Sequence, residues 1–258
     1  MAEPVSDLHV TAKDGVRLAY SIAGEGPAVL LVHGFASSRD QNWGSTGWID
    51  RLVHEGYRVV SFDCRGHGKS DKPHDPSAYG PILVDDIVAV MDAAGLEDAF
   101  VMGYSMGAIL SIRLLVLHPG RVRKLVAAGI GDNYFGEAAD WGEKIAAGLL
   151  TDDPQAIEDD EARKFRLFGG QKGKDRVALA ACVKASRPRC TPAELKATTR
   201  PVLVVAGETD TLVKSPFGLA AGFGNGRAVV LPNKDHMTAV GDPGYKRAVL
   251  DFLADIRA

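Results

Sequence analysis

Gly103-Tyr104-Ser105-Met106-Gly107 is the stretch on which the reading of this chain turns. An apolar run, Asp98-Ala99-Phe100-Val101-Met102, precedes it, and a helix-compatible run from Met106 to His118 follows. A Gly-x-Ser-x-Gly pentapeptide carries meaning only in that setting of strand, sharp turn and helix. The turn forces the serine into a strained backbone conformation and lifts its Oγ above the sheet. Glycine on either side lets helix and strand pack closely, since no Cβ stands between them. An ordinary strand-to-helix turn also accepts small residues, so the pentapeptide decides nothing alone.

Two further loops give it company. Pro201-Val202-Leu203-Val204-Val205-Ala206-Gly207 is continuously apolar, as buried parallel strands are, and runs into Glu208-Thr209-Asp210. Arg227-Ala228-Val229-Val230-Leu231-Pro232 is another short strand, followed by Asn233-Lys234-Asp235-His236-Met237. The order along the chain is Ser, Asp, His, one of the known orders of a nucleophile–acid–base set. A serine hydroxyl is a poor nucleophile at neutral pH, and a histidine can take its proton as it attacks. His236 is the expected base, and it later protonates the leaving group. Asp210 is expected to orient the imidazole. Asp132 is the rival acid, because it follows the strand after the serine helix.

Ala28-Val29-Leu30-Leu31-Val32-His33-Gly34-Phe35 and Ser61-Phe62-Asp63-Cys64-Arg65-Gly66-His67-Gly68-Lys69-Ser70 complete the pattern. In these five landmarks the chain resembles the α/β-hydrolase superfamily, over nearly its whole length apart from a poorly matching middle segment. The resemblance implies a serine-nucleophile member, similar to carboxylesterases, lactonases and C–C bond hydrolases. It also implies that the backbone N–H groups of Phe35 and Met106 form the oxyanion hole. Ser105 separates the chain from the haloalkane dehalogenase and epoxide hydrolase branches, which carry Asp at that position. One departure is visible: Asp235 stands where the family often has Gly before the histidine. No cofactor is implied.

The remainder of the chain alternates strand and helix. Strands are expected near Leu8-Thr11 and Val16-Ala23, joined by a turn at Asp14-Gly15. Others are expected at Ala28-Val32, Arg58-Phe62, Ala99-Tyr104, Val122-Ala128, Val202-Ala206 and Ala228-Leu231. Helices are expected at Gly47-Glu55, Pro81-Ala94, Met106-His118, Pro216-Ala221 and Gly244-Ile256. That alternation predicts an α/β fold: a mostly parallel, eight-stranded sheet with helices on both faces. Asp132 to Thr198 breaks the rhythm, with helices expected at Trp141-Leu150, Ala156-Phe168 and Arg176-Ala185 and no convincing strand. By resemblance, residues 132–198 form a small helical cap or lid, and residues 1–131 and 199–258 form the core. A loop-rich elaboration without a gating role is the simpler alternative.

The chain has 258 residues, 46% hydrophobic and 24% charged, enough for one sizeable core. Its formal net charge of −3, without a basic cluster, argues against nucleic-acid binding. Met1-Ala2-Glu3-Pro4-Val5-Ser6-Asp7 has neither the basic nor the apolar region of a signal peptide, and no apolar run is long enough to span a bilayer. Three unevenly placed cysteines, Cys64, Cys182 and Cys190, suggest reduced thiols and a cytoplasmic protein.

His33 is expected to shape the oxyanion loop, and Asp63 and His67 to stabilise their turn. His9, His54, His74 and His118 read as surface or element-end residues. None of the histidines has metal-ligand spacing, so no metal is expected. The expected partner is a small-molecule ester or lactone bound over the C-terminal strand ends. Its candidate lining is Trp43, Tyr104, Tyr134, Trp141, Leu212 and Met237, with Arg39, Arg163 and Arg166 as candidate carboxylate clamps. Simple core packing is the competing reading for each aromatic. The expected reaction is hydrolysis of a small or medium carboxylic ester through an acyl-enzyme. Lactone, thioester or C–C bond hydrolysis and cofactor-free perhydrolysis use the same triad, and a non-catalytic small-ligand receptor is the rival from another class.

Overall fold

The computed structural model describes residues 7–136 and 139–255; the amino-terminal stretch 1–6 and the expected helix end at Ile256 lie outside them. Eight strands form one sheet: β1 (Leu8–Thr11), β2 (Arg17–Ala23), β3 (Ala28–Val32), β4 (Arg58–Phe62), β5 (Ala99–Tyr104), β6 (Val122–Ala128), β7 (Val202–Gly207) and β8 (Gly226–Leu231). Their spatial order is β1-β2-β4-β3-β5-β6-β7-β8. The β1–β2 and β2–β4 pairs are antiparallel. The remaining pairs are parallel, which leaves the C-terminal ends of β3 to β8 at one edge.

Side chains alternate across a strand, so each of the strands β3 to β8 feeds two separate cores. Val29, Leu31, Val59, Met102 and Val205 face α1 (Trp48–His54) and α9 (Pro243–Ala254), meeting Trp48, Leu52, Tyr245 and Phe252. Leu30, Val32, Val60, Val101 and Val204 face the other way. They meet Ile87 of α2 (Ile82–Ala93), Leu114 of α3 (Met106–Leu117) and Leu219 of α8 (Pro216–Gly222). Burial on both faces is why the parallel strands read as unbroken apolar runs.

Between β6 and β7 the chain builds α4 (Ala139–Leu150), α5 (Asp160–Gly169), α6 (Arg176–Lys184) and α7 (Pro192–Lys196), with no strand among the described residues. Helix α4 packs on both α5 and α6. The helix expected from Ala156 begins only at Asp160. Pro154–Ala156 is a separate 3-10 turn, and Asp159 caps α5 by accepting from the Ala162 N–H at 2.8 Å. Helix α7 went unforeseen although Thr191 and Glu194 form a capping box around it, because five residues show no periodicity. A π-helical turn at Asp40–Gly44, closed by the Ser45 N–H on the Asp40 carbonyl at 2.8 Å, was likewise invisible. Among the described residues no helix is long and apolar enough to cross a membrane, and all three cysteines are free and buried.

Candidate active site

Ser105 sits at φ 52°, ψ −113°, between the last residue of β5 and the first of α3. A non-glycine residue with positive φ is strained by about 1–3 kcal/mol and persists only when its surroundings hold it. The holding contacts are close. Ser105 donates its N–H to the Ala128 carbonyl of β6 at 2.7 Å. A Cβ on Gly103 would stand 2.4 Å from the Gly107 carbonyl oxygen, and one on Gly107 would stand 2.1 Å from that of Val32. The two glycines of the pentapeptide are therefore demanded by the close approach of α3 to its own turn at Gly103 and to the end of β3 at Val32.

His236 Nδ1 bonds Asp210 Oδ2 at 2.7 Å. The Asp210 carboxylate is buried, and its Oδ1 accepts from the Leu212 N–H at 2.9 Å. Asp132 is engaged elsewhere: Oδ1 accepts from the Leu219 N–H of α8 at 2.8 Å. Tyr104 donates its hydroxyl to the His236 carbonyl at 2.7 Å, with the two rings 5.4 Å apart, so the residue before Ser105 holds the histidine loop. Ser105 and His236 are not hydrogen-bonded to each other; such links are often loose in unliganded sites. Asp235 folds back on its own turn, accepting from the Met237 and Thr238 N–H groups at 3.0 and 2.7 Å. These bonds hold its carboxyl below the ordinary carboxylate range and secure the turn that glycine often makes in the family.

Among the described residues nothing accepts from the N–H of Phe35 or of Met106. Gly34 lies against the serine, since a Cβ on it would be 3.5 Å from Ser105 Cβ. The loop that carries Phe35 is held by residues whose partners are distant in sequence. Asn42 Oδ1 takes the Gly34 N–H at 3.0 Å. His67 Nε2 takes the Ala36 N–H at 3.0 Å, with Ala36 itself at φ 57°. His33 Nε2 takes the Cys64 N–H at 3.0 Å. Because Nε2 accepts in both rings, Nδ1 carries the hydrogen, donated to the Gly34 carbonyl by His33 and to the Arg65 carbonyl by His67. Burial pushes the pKa of His33 down and that of His67 well down, keeping both neutral. Asp63 accepts from the N–H groups of Arg39 and Lys69, and Arg65 grips Asp86 through two bonds of 2.6 Å. Asn42 was missed in the sequence: nothing in its local pattern marks it as the anchor of Gly34.

The lining expected from the sequence needs correction. Trp43 is fully buried in the core under α1 and α9, ring to ring with Trp48, on the face away from α3. It has no surface to offer a substrate. Tyr134 is also buried, accepting from the Cys190 N–H at 2.8 Å inside the segment between β6 and β7. Buried Tyr104 is committed to the His236 loop. Trp141 is half-buried against Phe165, which in turn packs on Phe35 with ring centroids 5.8 Å apart. Leu212 is half-buried, and Met237 is 59% exposed at the rim of the histidine loop. Arg163 and Arg166 are used within their own helical segment, on the carbonyls of Ile157, Thr151 and Asp152. Among the described residues no cluster of His, Cys, Asp and Glu has the arrangement of a metal site.

Comparison with known proteins agrees with this frame. A family model described as the alpha/beta hydrolase fold matches residues 27–151. A 123-residue stretch is 34% identical to epoxide hydrolase 3 of Siraitia grosvenorii, covering 46% of this chain but only 37% of that protein. A provisionally named 2-succinyl-6-hydroxy-2,4-cyclohexadiene-1-carboxylate synthase of Bacillus subtilis (strain 168) is 26% identical, over 96% of this chain and 99% of that one. The structure of a hydrolase from Pseudomonas aeruginosa PA01 is 28% identical with a TM-score of 0.77, covering 98% of this chain and 100% of the other. With a family model running through the Ser105 turn and a solved hydrolase matching nearly end to end, this chain has the α/β-hydrolase fold.

Proposed function

We propose that this protein is a serine hydrolase that cleaves small or medium carboxylic esters through an acyl-enzyme. One observation carries the reading: Ser105 is held at φ 52° on the strand-to-helix turn, while the adjoining loop presents an imidazole already bonded to a buried carboxylate at 2.7 Å. In this reading the Ser105 hydroxyl attacks the ester carbonyl carbon and passes its proton to His236 Nε2. The Asp210 carboxylate steadies the imidazolium through Nδ1. The oxyanion takes the Phe35 and Met106 N–H groups, each worth roughly 3 kcal/mol of barrier. His236 then gives its proton to the departing alkoxide, and water repeats the sequence on the acyl group.

The nucleophile also selects among reactions. Attack of a serine hydroxyl on an epoxide would leave an ether, which base-activated water does not cleave. A carboxylate nucleophile would leave a hydrolysable ester. Ser105 therefore supports acyl transfer here, although the local relatives include epoxide hydrolases. We assign residues 132–198 as a cap that shapes the acyl side of the site, on the contact between Phe165 and Phe35. The provisional name of the Bacillus subtilis relative motivates a second reading, formation of a carboxylate-bearing cyclohexadiene product on the same residues.

The test is covalent labelling by a fluorophosphonate together with multiple turnover of p-nitrophenyl acetate. Wild-type protein should label and turn over, and Ser105→Ala should do neither. Labelling without ester turnover would move the assignment to the second reading or to a receptor; absence of labelling would remove Ser105 as nucleophile.

A further inference from the structure

A cavity of about 800 Å³ lies beside the oxyanion loop and contains none of Ser105, Asp210 and His236. Its wall includes Ser21 and Ala23 of β2, Val59 and Ser61 of β4, the 37–41 loop, Lys69 and the 171–174 loop. A face of a central sheet is ordinarily apolar, and this one places two buried serines side by side. Their hydroxyl oxygens are 3.0 Å apart. One hydroxyl donates to the other, so the second hydrogen has no acceptor among the described residues.

Arg39 is the second unusual feature. Its side chain is 9% exposed and lines the cavity. Nε faces Asp63 Oδ2 at 3.7 Å and Nη2 bonds Asp7, but Nη1 is buried without a partner among the described residues. A buried guanidinium nitrogen left unpaired is costly unless something fills its place. Asp7 bridges Arg39 and Lys69, and Lys69 is otherwise exposed, with 66% of its side chain in solvent. Hydrogen bonds commit Lys174 to the Phe168 carbonyl and Gln171.

The lining charges balance only while Asp7 is in place. Arg39, Lys69, Lys172 and Lys174 stand against Asp7, Asp40, Asp50 and Asp63. Asp63 is already satisfied by the N–H groups of Arg39 and Lys69. If Asp7 withdraws, one positive charge is left uncompensated at the Arg39–Lys69 pair, beside an unused Nη1 and an unused serine hydrogen.

We propose that this cavity is a second ligand site, distinct from the Ser105 site, that binds a small hydroxylated molecule through one anionic oxyacid group. Arg39 is its clamp, Lys69 its rim cation, Ser21 and Ser61 its polar floor, and Asp7 an internal carboxylate that holds the place of the ligand's anion. The site stands whether or not Ser105 is a nucleophile, because no residue is shared.

Isothermal titration at constant ionic strength tests it, with gluconate as a carboxylate probe and inorganic phosphate as the alternative oxyacid. Asp7→Asn removes the internal competitor and should tighten binding of the preferred probe about tenfold. Lys69→Gln, an exposed and structurally mild change, should weaken it several-fold, and Arg39→Gln should abolish it in protein that remains folded by circular dichroism. Gluconate favoured over phosphate assigns a carboxylate ligand, and the reverse assigns a phosphorylated one. Binding that Asp7→Asn and Lys69→Gln both leave unchanged would place the anion elsewhere, as a product carboxylate in the Ser105 site would be. That result, or no saturable binding of either probe to Asp7→Asn protein, overturns the proposal.

Discussion

Asp210 and Asp132 lie beyond the C-terminal ends of neighbouring strands, and their side-chain partners tell them apart. Asp210 Oδ2 meets His236 Nδ1 at 2.7 Å, whereas Asp132 takes the Leu219 N–H of α8. Asp210→Asn should lower kcat for p-nitrophenyl acetate by about 10⁴-fold, since an amide selects the wrong imidazole tautomer. Asp132→Asn removes the charge but keeps an oxygen that can accept from the Leu219 N–H, and it should leave turnover within about tenfold of wild type. Parallel assays of the two variants decide the matter, and the opposite ranking would transfer the acid role to Asp132. The carboxylate's position after β7 was legible in the sequence. Its burial and its second bond, from Leu212, were products of the folded loop.

At the scale of elements, the serine turn depends on backbone contact between α3, β3 and β5. Gly107 is the sharpest case, because its missing Cβ would sit 2.1 Å from the Val32 oxygen and 2.7 Å from that of His33. Carbonyls within a strand cannot rotate away, so Gly107→Ala should force α3 off the sheet and cost about 3 kcal/mol or more. Urea unfolding checks this against Gly120→Ala, where no heavy atom lies within 4 Å of the added carbon and the change should be small. The segment between β6 and β7 carries a different expectation. Phe165 joins Trp141 of α4 to Phe35 of the loop after β3. Phe165→Leu and Trp141→Leu should shift the ratio of kcat/KM for octanoyl over acetyl esters by about tenfold, the scale of a one- or two-methylene change in a pocket. Acetyl-ester turnover should survive. An unchanged chain-length profile in folded variants would leave the segment a structural elaboration of the core.

Across the whole molecule, two neutral histidines buried 5.1 Å apart make stability depend on pH. Burial lowers the pKa of His33 and His67 below the ordinary value of 6.5, with Asp63 opposing the shift at His33 and His33 adding to it at His67. Below 6.5 the unfolded chain takes up protons that the folded rings refuse. Stability should therefore be flat with respect to these two groups above about pH 7 and fall as pH drops, by up to roughly 1.4 kcal/mol per pH unit for each ring. Urea unfolding at pH 7.5, 6.0 and 5.0 measures the slope, and His67→Gln should reduce it by about one proton; an unaltered slope would assign the effect to other groups. The sequence by itself determined the alternation of strands and helices, the antiparallel opening hairpin and the order Ser105, Asp210, His236. It also determined the turn at which Ser105 must be strained. Each of these follows from local rules: side-chain periodicity, apolar burial and the steric freedom of glycine. Which face of the sheet an aromatic joins is not a local property. Trp43 and Tyr134 therefore read as candidate lining and proved to be core. Tertiary structure alone decided that Asn42 holds Gly34, that His67 holds Ala36, and that Arg39 lines a cavity with a nitrogen unpaired among the described residues. Those partners lie up to 31 residues apart in sequence, and only closure of the sheet and its loops brings a lone donor to a lone acceptor.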